Sequence, residues 1–174
     1  MKVVLFGLNG SFSLTNLAIR CLRPHLEKAG FETVLIEQTL RDRTSHVLEK
    51  LYAEQADVYG FSCYIWNLNQ MLSLSKSLHD LLPASRIVFG GPEVSYATER
   101  FDGMDWIDAI VCGEGEETMT ALCEAFFRGK PFDRICQASL PRVMGEEGIL
   151  YRDGETTGGI LYYESSRGCP YSCA

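Results

Sequence analysis

Near the end of the chain two cysteines, Cys169 and Cys173, stand with three residues between them in a loop that also holds Gly168 and Pro170. Thiolates on a tight loop after a strand can hold iron and sulfide. Two cysteines at this spacing also describe a stray thiol pair. The chain stops two residues short of where a third cysteine would complete Cys-x3-Cys-x2-Cys. The other five, Cys21, Cys63, Cys112, Cys123 and Cys136, lie among apolar neighbours and read as buried small side chains. An odd total of seven without a secretion signal fits thiols kept reduced, and a cytoplasmic location is expected.

Four more stretches carry groups that could meet a ligand. In the first, Ile87-Val88-Phe89 runs into Gly90, Gly91, Pro92, Glu93 and Val94. The two glycines lack Cβ, so the backbone there can bend sharply or lie against a ligand. A tight turn that touches nothing has the same sequence. In the second, Ser62, Cys63, Tyr64, Ile65, Trp66 and Asn67 put three bulky apolar residues in succession at a strand end. A large flat ligand would cover them, and so would a neighbouring helix or a second domain. The third is Gly113, Glu114, Gly115, Glu116 and Glu117. Glu116 and Glu117 suit the first turn of a helix, where its dipole favours acids. Glu114, between glycines, is better placed to accept hydrogen bonds from a ligand. The fourth, Asn9, Gly10, Ser11, Phe12 and Ser13, contains no acid, which argues against the magnesium and phosphate chemistry of a receiver domain. Ser11, Ser13 and Thr15 partly match a phosphate loop and fit turn and N-cap positions better. His25, His46 and His79 all lie outside these loops, and no Ser-His-Asp set or catalytic carboxylate pair is visible. The domain reads as a binder.

The elements that must position these loops alternate regularly. Strands are expected at Lys2–Leu8, Phe31–Glu37, Asp57–Ser62, Arg86–Phe89 and Asp108–Cys112. Helices are expected at Thr15–Ala29, Thr44–Gln55, Leu68–Leu82, Glu93–Arg100 and Glu116–Phe127. Repeated βα units imply right-handed crossovers and a parallel sheet with helices on both faces. The expected fold is therefore α/β and flavodoxin-like (Rossmann-like), a five-stranded parallel sheet in the order 2-1-3-4-5, with ligands beyond the carboxyl ends of the strands. Residues 1–131 form that domain. Residues 132–159 read as a small C-terminal β-hairpin extension, around Gly145–Gly148, followed by a flexible linker from Glu155. Ile160–Glu164 reads as a short strand.

The 174 residues suffice for one domain with a real core plus an appendage. A net charge of −7, without a Lys/Arg cluster, disfavours nucleic acid and anionic membrane surfaces as partners. No stretch has the length of a transmembrane helix.

The segments Gly60–Asn67, Phe89–Tyr96, Gly113–Glu117, Leu8-Asn9 and Asn16–Arg20, together with Glu164-Ser165-Ser166-Arg167-Gly168-Cys169-Pro170-Tyr171-Ser172-Cys173, resemble the N-terminal part of cobalamin-binding-domain radical SAM proteins. The resemblance covers nearly the whole chain and is most specific in its tail. It implies a cobalamin-binding module in residues 1–131. Residues 160–174 would begin a radical SAM barrel, truncated inside the cysteine motif. In that family three cysteines hold a [4Fe-4S] cluster whose open iron binds S-adenosylmethionine, and the corrinoid commonly carries a methyl group. By resemblance Cys169 and Cys173 would be two cluster ligands. The corrinoid would lie over the first and third strand ends, reached by Asn9, Gly10, Ser11 and Ser62–Asn67, with its nucleotide tail running toward Gly90–Val94 and Gly113–Glu116. A leucine at Gly91 would then fill the tail's path. The partners implied are the corrinoid and the C-terminal barrel of the parent chain, without which this piece is inactive. The Asp-x-His-x-x-Gly segment of classical cobalamin domains is absent, Leu14 stands where that family often has a polar residue, and the stretch from Gly154 to Ile160 is short. Binding without a protein histidine ligand is therefore expected. A flavodoxin-like FMN site, or a ligand-free docking domain for the barrel, are the alternatives.

Overall fold

The computed structural model describes residues 1–138, 150–155 and 160–164. The chain alternates β1 (Lys2–Asn9), α1 (Leu17–Lys28), β2 (Glu32–Thr39), α2 (Thr44–Ala53), β3 (Val58–Ser62), α3 (Leu68–Leu81), β4 (Arg86–Gly90), α4 (Pro92–Ser95), a 3₁₀ turn (Thr98–Phe101), β5 (Ala109–Cys112), α5 (Glu116–Arg128) and β6 (Ile135–Gln137). All strand pairs are parallel, in the order β2-β1-β3-β4-β5-β6. The expected five-stranded order is present and continues by one strand. β6 has only three residues, Ile135-Cys136-Gln137, too few to show a period in the sequence. It belongs to the main sheet and not to the extension expected after residue 131.

Alternation along each strand divides the core into two layers. One face carries Val4, Phe6, Tyr59, Phe61, Ile87, Phe89 and Ile110 and is covered by α2 and α3 through Val47, Leu51, Met71, Leu74 and Leu78. The buried Tyr59 hydroxyl donates to the Leu51 carbonyl and accepts from the Ala56 N–H, so the layer holds no stranded polar group there. The other face carries Val3, Leu5, Val58, Val88, Ala109 and Val111 under α1 and α5, which contribute Ile19, Leu26, Met119, Leu122 and Cys123.

Two expectations change. The helix expected from Glu93 to Arg100 is one turn of helix, then Ala97 in a left-handed conformation at φ 54°, then the 3₁₀ turn. Ile160–Glu164 forms no strand: these residues are tied to Ser13 and Tyr151 instead of to a sheet edge. Most of the expected hairpin, and both Cys169 and Cys173, lie outside the described residues.

Candidate cofactor site

The loops at the carboxyl edge of the sheet are locked together by their backbones. Gly91 has φ 110°, and a Cβ there would lie 2.5 Å from the Cys63 carbonyl oxygen. The Cys63 N–H donates to Gly90 O at 2.7 Å, so the loops after β3 and β4 cross in direct contact. A leucine at Gly91 would break this crossing as well as fill the space expected for the tail, so its effect on binding would not isolate the tail's path. Asn67 is buried and cages its own loop: Oδ1 accepts from Tyr64 N–H at 2.8 Å, while Nδ2 donates to Leu8 O and Ser62 O, both at 3.1 Å. Cys63 and Val94 are fully buried. Burial pushes the Cys63 thiol far above the ordinary thiol range, so it carries no reactive thiolate.

That scaffold displays aromatic surface. Tyr64 and Trp66 stack at 4.6 Å between ring centroids and 10° between planes. Trp66 is 54% exposed and Ile65 79%. Tyr64 is held partly buried, which raises the pKa of its phenol, although a hydrogen bond with Ser62 opposes the shift.

Beneath this edge, between the sheet and helices α1 and α5, lies a cavity of about 420 Å³, within the usual size range of small-molecule sites. Its open part lies at Gly90, on a face of the sheet where Leu5 and Met119 close over Gly60 and Asn16 closes over Gly7. At one level Leu5, Gly60, Val88 and Ala109 stand abreast; at the next come Gly7, Ser62, Gly90 and Val111. A Cβ at Gly60 would meet the ends of Leu5 and Met119 at 3.0 and 3.3 Å; at Gly90 the nearest atom is 3.8 Å away. Leu5, Ile19, Val88, Val111 and Met119 make the walls apolar.

Of the residues singled out in the sequence, Ser62, Tyr64, Gly90, Gly91 and Pro92 line this cavity from one side. Gly113, Glu114, Gly115 and Glu116 line it from the other, with Glu116 buried. Cys63, Asn67 and Val94 support the loops from within. Glu93 pairs with Arg100 at 2.9 Å. Ile65 and Trp66 stand on the exposed edge. Gly60, Ser95 and Tyr96 entered the sequence reading only within segments of family resemblance and not as site residues, and the apolar wall from α1 and α5 was missed. The strand period could have placed Gly60 on the face toward α1 and α5, where Leu5 and Met119 close over it. The helix residues gave no signal beyond core spacing.

The β1–α1 loop is organised differently. Asn9, expected to meet the cofactor, donates from Nδ2 to Leu14 O and to Glu37, at 2.9 and 2.8 Å. The Ser11 and Ser13 hydroxyls share a hydrogen bond at 3.0 Å. Neither these residues nor Gly10 lines the cavity. Thr15 is not the N-cap; Asn16 is, accepting from Ile19 N–H while donating to Ser62 Oγ at 3.1 Å. The hydroxyls that partly matched a phosphate loop are thus engaged within the protein.

Behind the loop, Arg20 and Arg23 are almost wholly buried on one side of α1. Arg20 pairs with Glu37 of β2 and, at 2.8 Å, with Glu155. Arg23 pairs with Glu155 as well and donates to Leu150 O at 2.9 Å. Burial opposes ionisation of Glu155, but the hydrogen bonds and charge of Arg23, the Arg152 N–H and Arg20 outweigh it and hold the carboxyl at about 2. Residues 156–159 of the expected linker lie outside the described residues, but Glu155, where it was to begin, is firmly anchored.

The site fits a corrinoid on its own geometry. The volume and apolar walls of the slot suit an aromatic base, and the stacked Tyr64 and Trp66 rings on the edge above it suit a flat macrocycle. No histidine lines the cavity. His25 and His79 sit in the last turns of α1 and α3, and His46 pairs with Glu49 on α2. Among the described residues no group of three His, Cys, Asp or Glu side chains could hold a metal ion, and no helix is long and apolar enough to cross a membrane.

Comparison with known proteins agrees. The chain is 26% identical to the cobalamin-dependent radical SAM methyltransferase TokK of Streptomyces tokunonensis, over 99% of this chain and 30% of that protein. It is 27% identical to a 2-(S-pantetheinyl)-carbapenam-3-carboxylate methyltransferase of Streptantibioticus cattleyicolor, with the same coverages. The chain therefore spans less than a third of the length of these relatives. Among solved structures, the radical S-adenosylmethionine methyltransferase TsrM of Kitasatospora setae, with cobalamin and a [4Fe-4S] cluster bound, superposes with a TM-score of 0.64 at 22% identity, over 75% of this chain and 25% of that one. The cobalamin-dependent S-adenosylmethionine radical enzyme OxsB, with aqua-cobalamin and S-adenosylmethionine bound, gives 0.64 at 20% identity, over 73% and 19%. The model of the B12 binding domain matches residues 4–123, most of the chain, and the chain belongs to that family.

Proposed function

We propose that this chain is the corrinoid-holding part of a larger radical SAM enzyme, with the cobalamin nucleotide tail in the slot under α1 and α5 and the corrin ring against Tyr64, Ile65 and Trp66. The observation that carries this reading is the missing side chain at Gly90, where an added Cβ would have nothing nearer than 3.8 Å, in an apolar cavity under the strand ends. Ser62, Tyr64 and the Gly113–Glu116 turn provide polar groups at its mouth. Bound cobalamin would supply methyl-carrying chemistry. The protein's part is to orient the cofactor, to exclude water from the slot, and to leave the cobalt without a histidine ligand.

Cys169 and Cys173 are proposed as two of three ligands to a [4Fe-4S] cluster that would bind S-adenosylmethionine in the parent enzyme. The exposed aromatic edge is then also where the barrel would meet this domain.

Titration of the reduced chain with hydroxocobalamin, followed by visible absorption and calorimetry, tests the reading. Saturable binding with a base-off spectrum is expected. Absence of uptake, both by this chain and by one extended through the barrel, would overturn it.

A further inference from the structure

The returning segment is fastened to α1 by more than one bond. Glu155 sits between Arg20 and Arg23, one turn apart on the helix. Arg152 pairs with Glu27 further along α1. The Tyr151 ring lies under the Arg20 guanidinium at 4.9 Å. Its hydroxyl donates to Tyr162 O at 2.8 Å and accepts from Tyr162 N–H at 3.0 Å. The Ile160 N–H donates to Ser13 O at 3.1 Å, and the Thr15 hydroxyl to Ile160 O at 3.3 Å. Residues 160–164 therefore rest on the β1–α1 loop, and Glu164 reaches the rim of the cavity, where its charge adds to the raised pKa of Tyr64.

Two arginines this deeply buried need their carboxylates, because a buried charge without a partner is strongly destabilising. Arg20 has Glu37 as well, but among the described residues Glu155 is the one carboxylate paired with Arg23. Arg23 thus makes the docked position of the segment the favoured one.

We infer that Glu155 is a positioning residue for the cofactor: held by Arg20 and Arg23, it keeps residues 160–164 docked on the β1–α1 loop with Glu164 at the cavity rim and thereby tightens corrinoid binding. The ligand half of this inference rests on the corrinoid reading; the positioning half does not.

The test compares the chain with Glu155→Gln, Glu155→Asp and Tyr151→Phe. The last removes the hydroxyl bonds to residue 162 while leaving the buried ion pairs intact, so it serves if Glu155→Gln folds poorly. Amide hydrogen exchange is read at Ile160 and Tyr162, with Val4 and Phe6 as core references, beside a hydroxocobalamin titration. Loss of protection at Ile160 and Tyr162 is expected in Glu155→Gln and Tyr151→Phe, with the core unchanged. If the docked, binding-competent population falls to about a tenth, the dissociation constant rises about tenfold. Glu155→Asp, which keeps the charge, should recover much of both effects. Unchanged protection would overturn the positioning role. Lost protection with unchanged affinity would overturn its link to the cofactor. Wild-type chain that takes up no cobalamin would overturn the corrinoid reading and the affinity half with it, and exchange would still decide the positioning role.

Discussion

Phe6, Phe61 and Phe89 stand abreast on three neighbouring strands, packed edge to face or tilted at 5.6 and 5.5 Å, and Phe101 closes the row. One residue further along the same strands, on the opposite face, the row reads Gly7, Ser62, Gly90. The same backbone thus supports a fully filled aromatic layer on one side and a cavity on the other. The filled face stabilises the sheet, and the layer beneath α1 and α5 gives up contacts near the strand ends to leave room for a ligand. Were the cavity to take an aromatic base, as proposed, it could not also be well packed when empty. The division between faces lets the fold carry that defect.

The largest effect that separates the two faces should come from the filled one. Phe61→Ala removes the middle ring of the row and should destabilise the domain by about 3–5 kcal/mol, read as a lower denaturant midpoint with an unchanged slope. If the loss were under about 1 kcal/mol, the aromatic layer would not be the structural face.

Gly90→Leu should show the reverse. Its side chain would project into the cavity, with nothing nearer to the added Cβ than 3.8 Å. Hydroxocobalamin affinity should fall about 100-fold, equivalent to about 2.7 kcal/mol, while the melting midpoint shifts by only a few degrees. Equal affinity would place the nucleotide tail elsewhere. Gly91→Ala, one residue on, tests the boundary between the two roles. Its φ of 110° and the 2.5 Å approach to Cys63 O predict a loss of about 1–3 kcal/mol in stability, with or without ligand.

Cobinamide, which has the corrin ring but no nucleotide, sharpens the contrast further. It should bind the wild-type chain about tenfold more weakly than cobalamin, a difference of about 1.4 kcal/mol. In Gly90→Leu cobinamide should bind as it does to the wild type, and cobalamin should lose its advantage over it, since cobinamide has no tail to place and cobalamin's tail no longer fits the slot.

These contrasts were only partly visible in the sequence. The βα alternation, the Gly90-Gly91 turn and the Tyr64-Ile65-Trp66 edge could be read because each leaves a local mark: apolar runs, missing Cβ atoms, bulky residues where a strand stops. β6 could not, because three residues have no period. The cavity walls from α1 and α5 looked like ordinary core, since Ile19 and Met119 face the sheet whether or not something lies between. The anchoring of Glu155 was hidden for another reason. Nothing in the type or spacing of Arg20 and Arg23 marks a buried pair, and the carboxylate they share comes from a segment more than 130 residues later in the chain.

Thiol chemistry offers the smallest and most local test of the two faces. Cys63 lies in the filled layer with its pKa raised by burial beyond any ordinary working pH, and Cys123, buried under α5, is pushed up to about 12. Both pKa values are raised, so the thiolate is scarce below the folded-state pKa, and raising the pH from 7 to 8.5 should not bring either residue into reaction while the fold holds. Among the described cysteines Cys136 is the one only partly buried and should be alkylated before the other four. Cys21 is buried but lines the cavity. A small neutral reagent that enters the slot should reach Cys21 slowly, and cobalamin should protect it. Peptide mass spectrometry after brief alkylation, with and without hydroxocobalamin, reads each site separately. Protection of Cys21 by cobalamin, beside a Cys63 that stays unmodified in both samples, is the expected pattern. Equal labelling of Cys21 with and without cobalamin would argue that the open face is not where the tail lies.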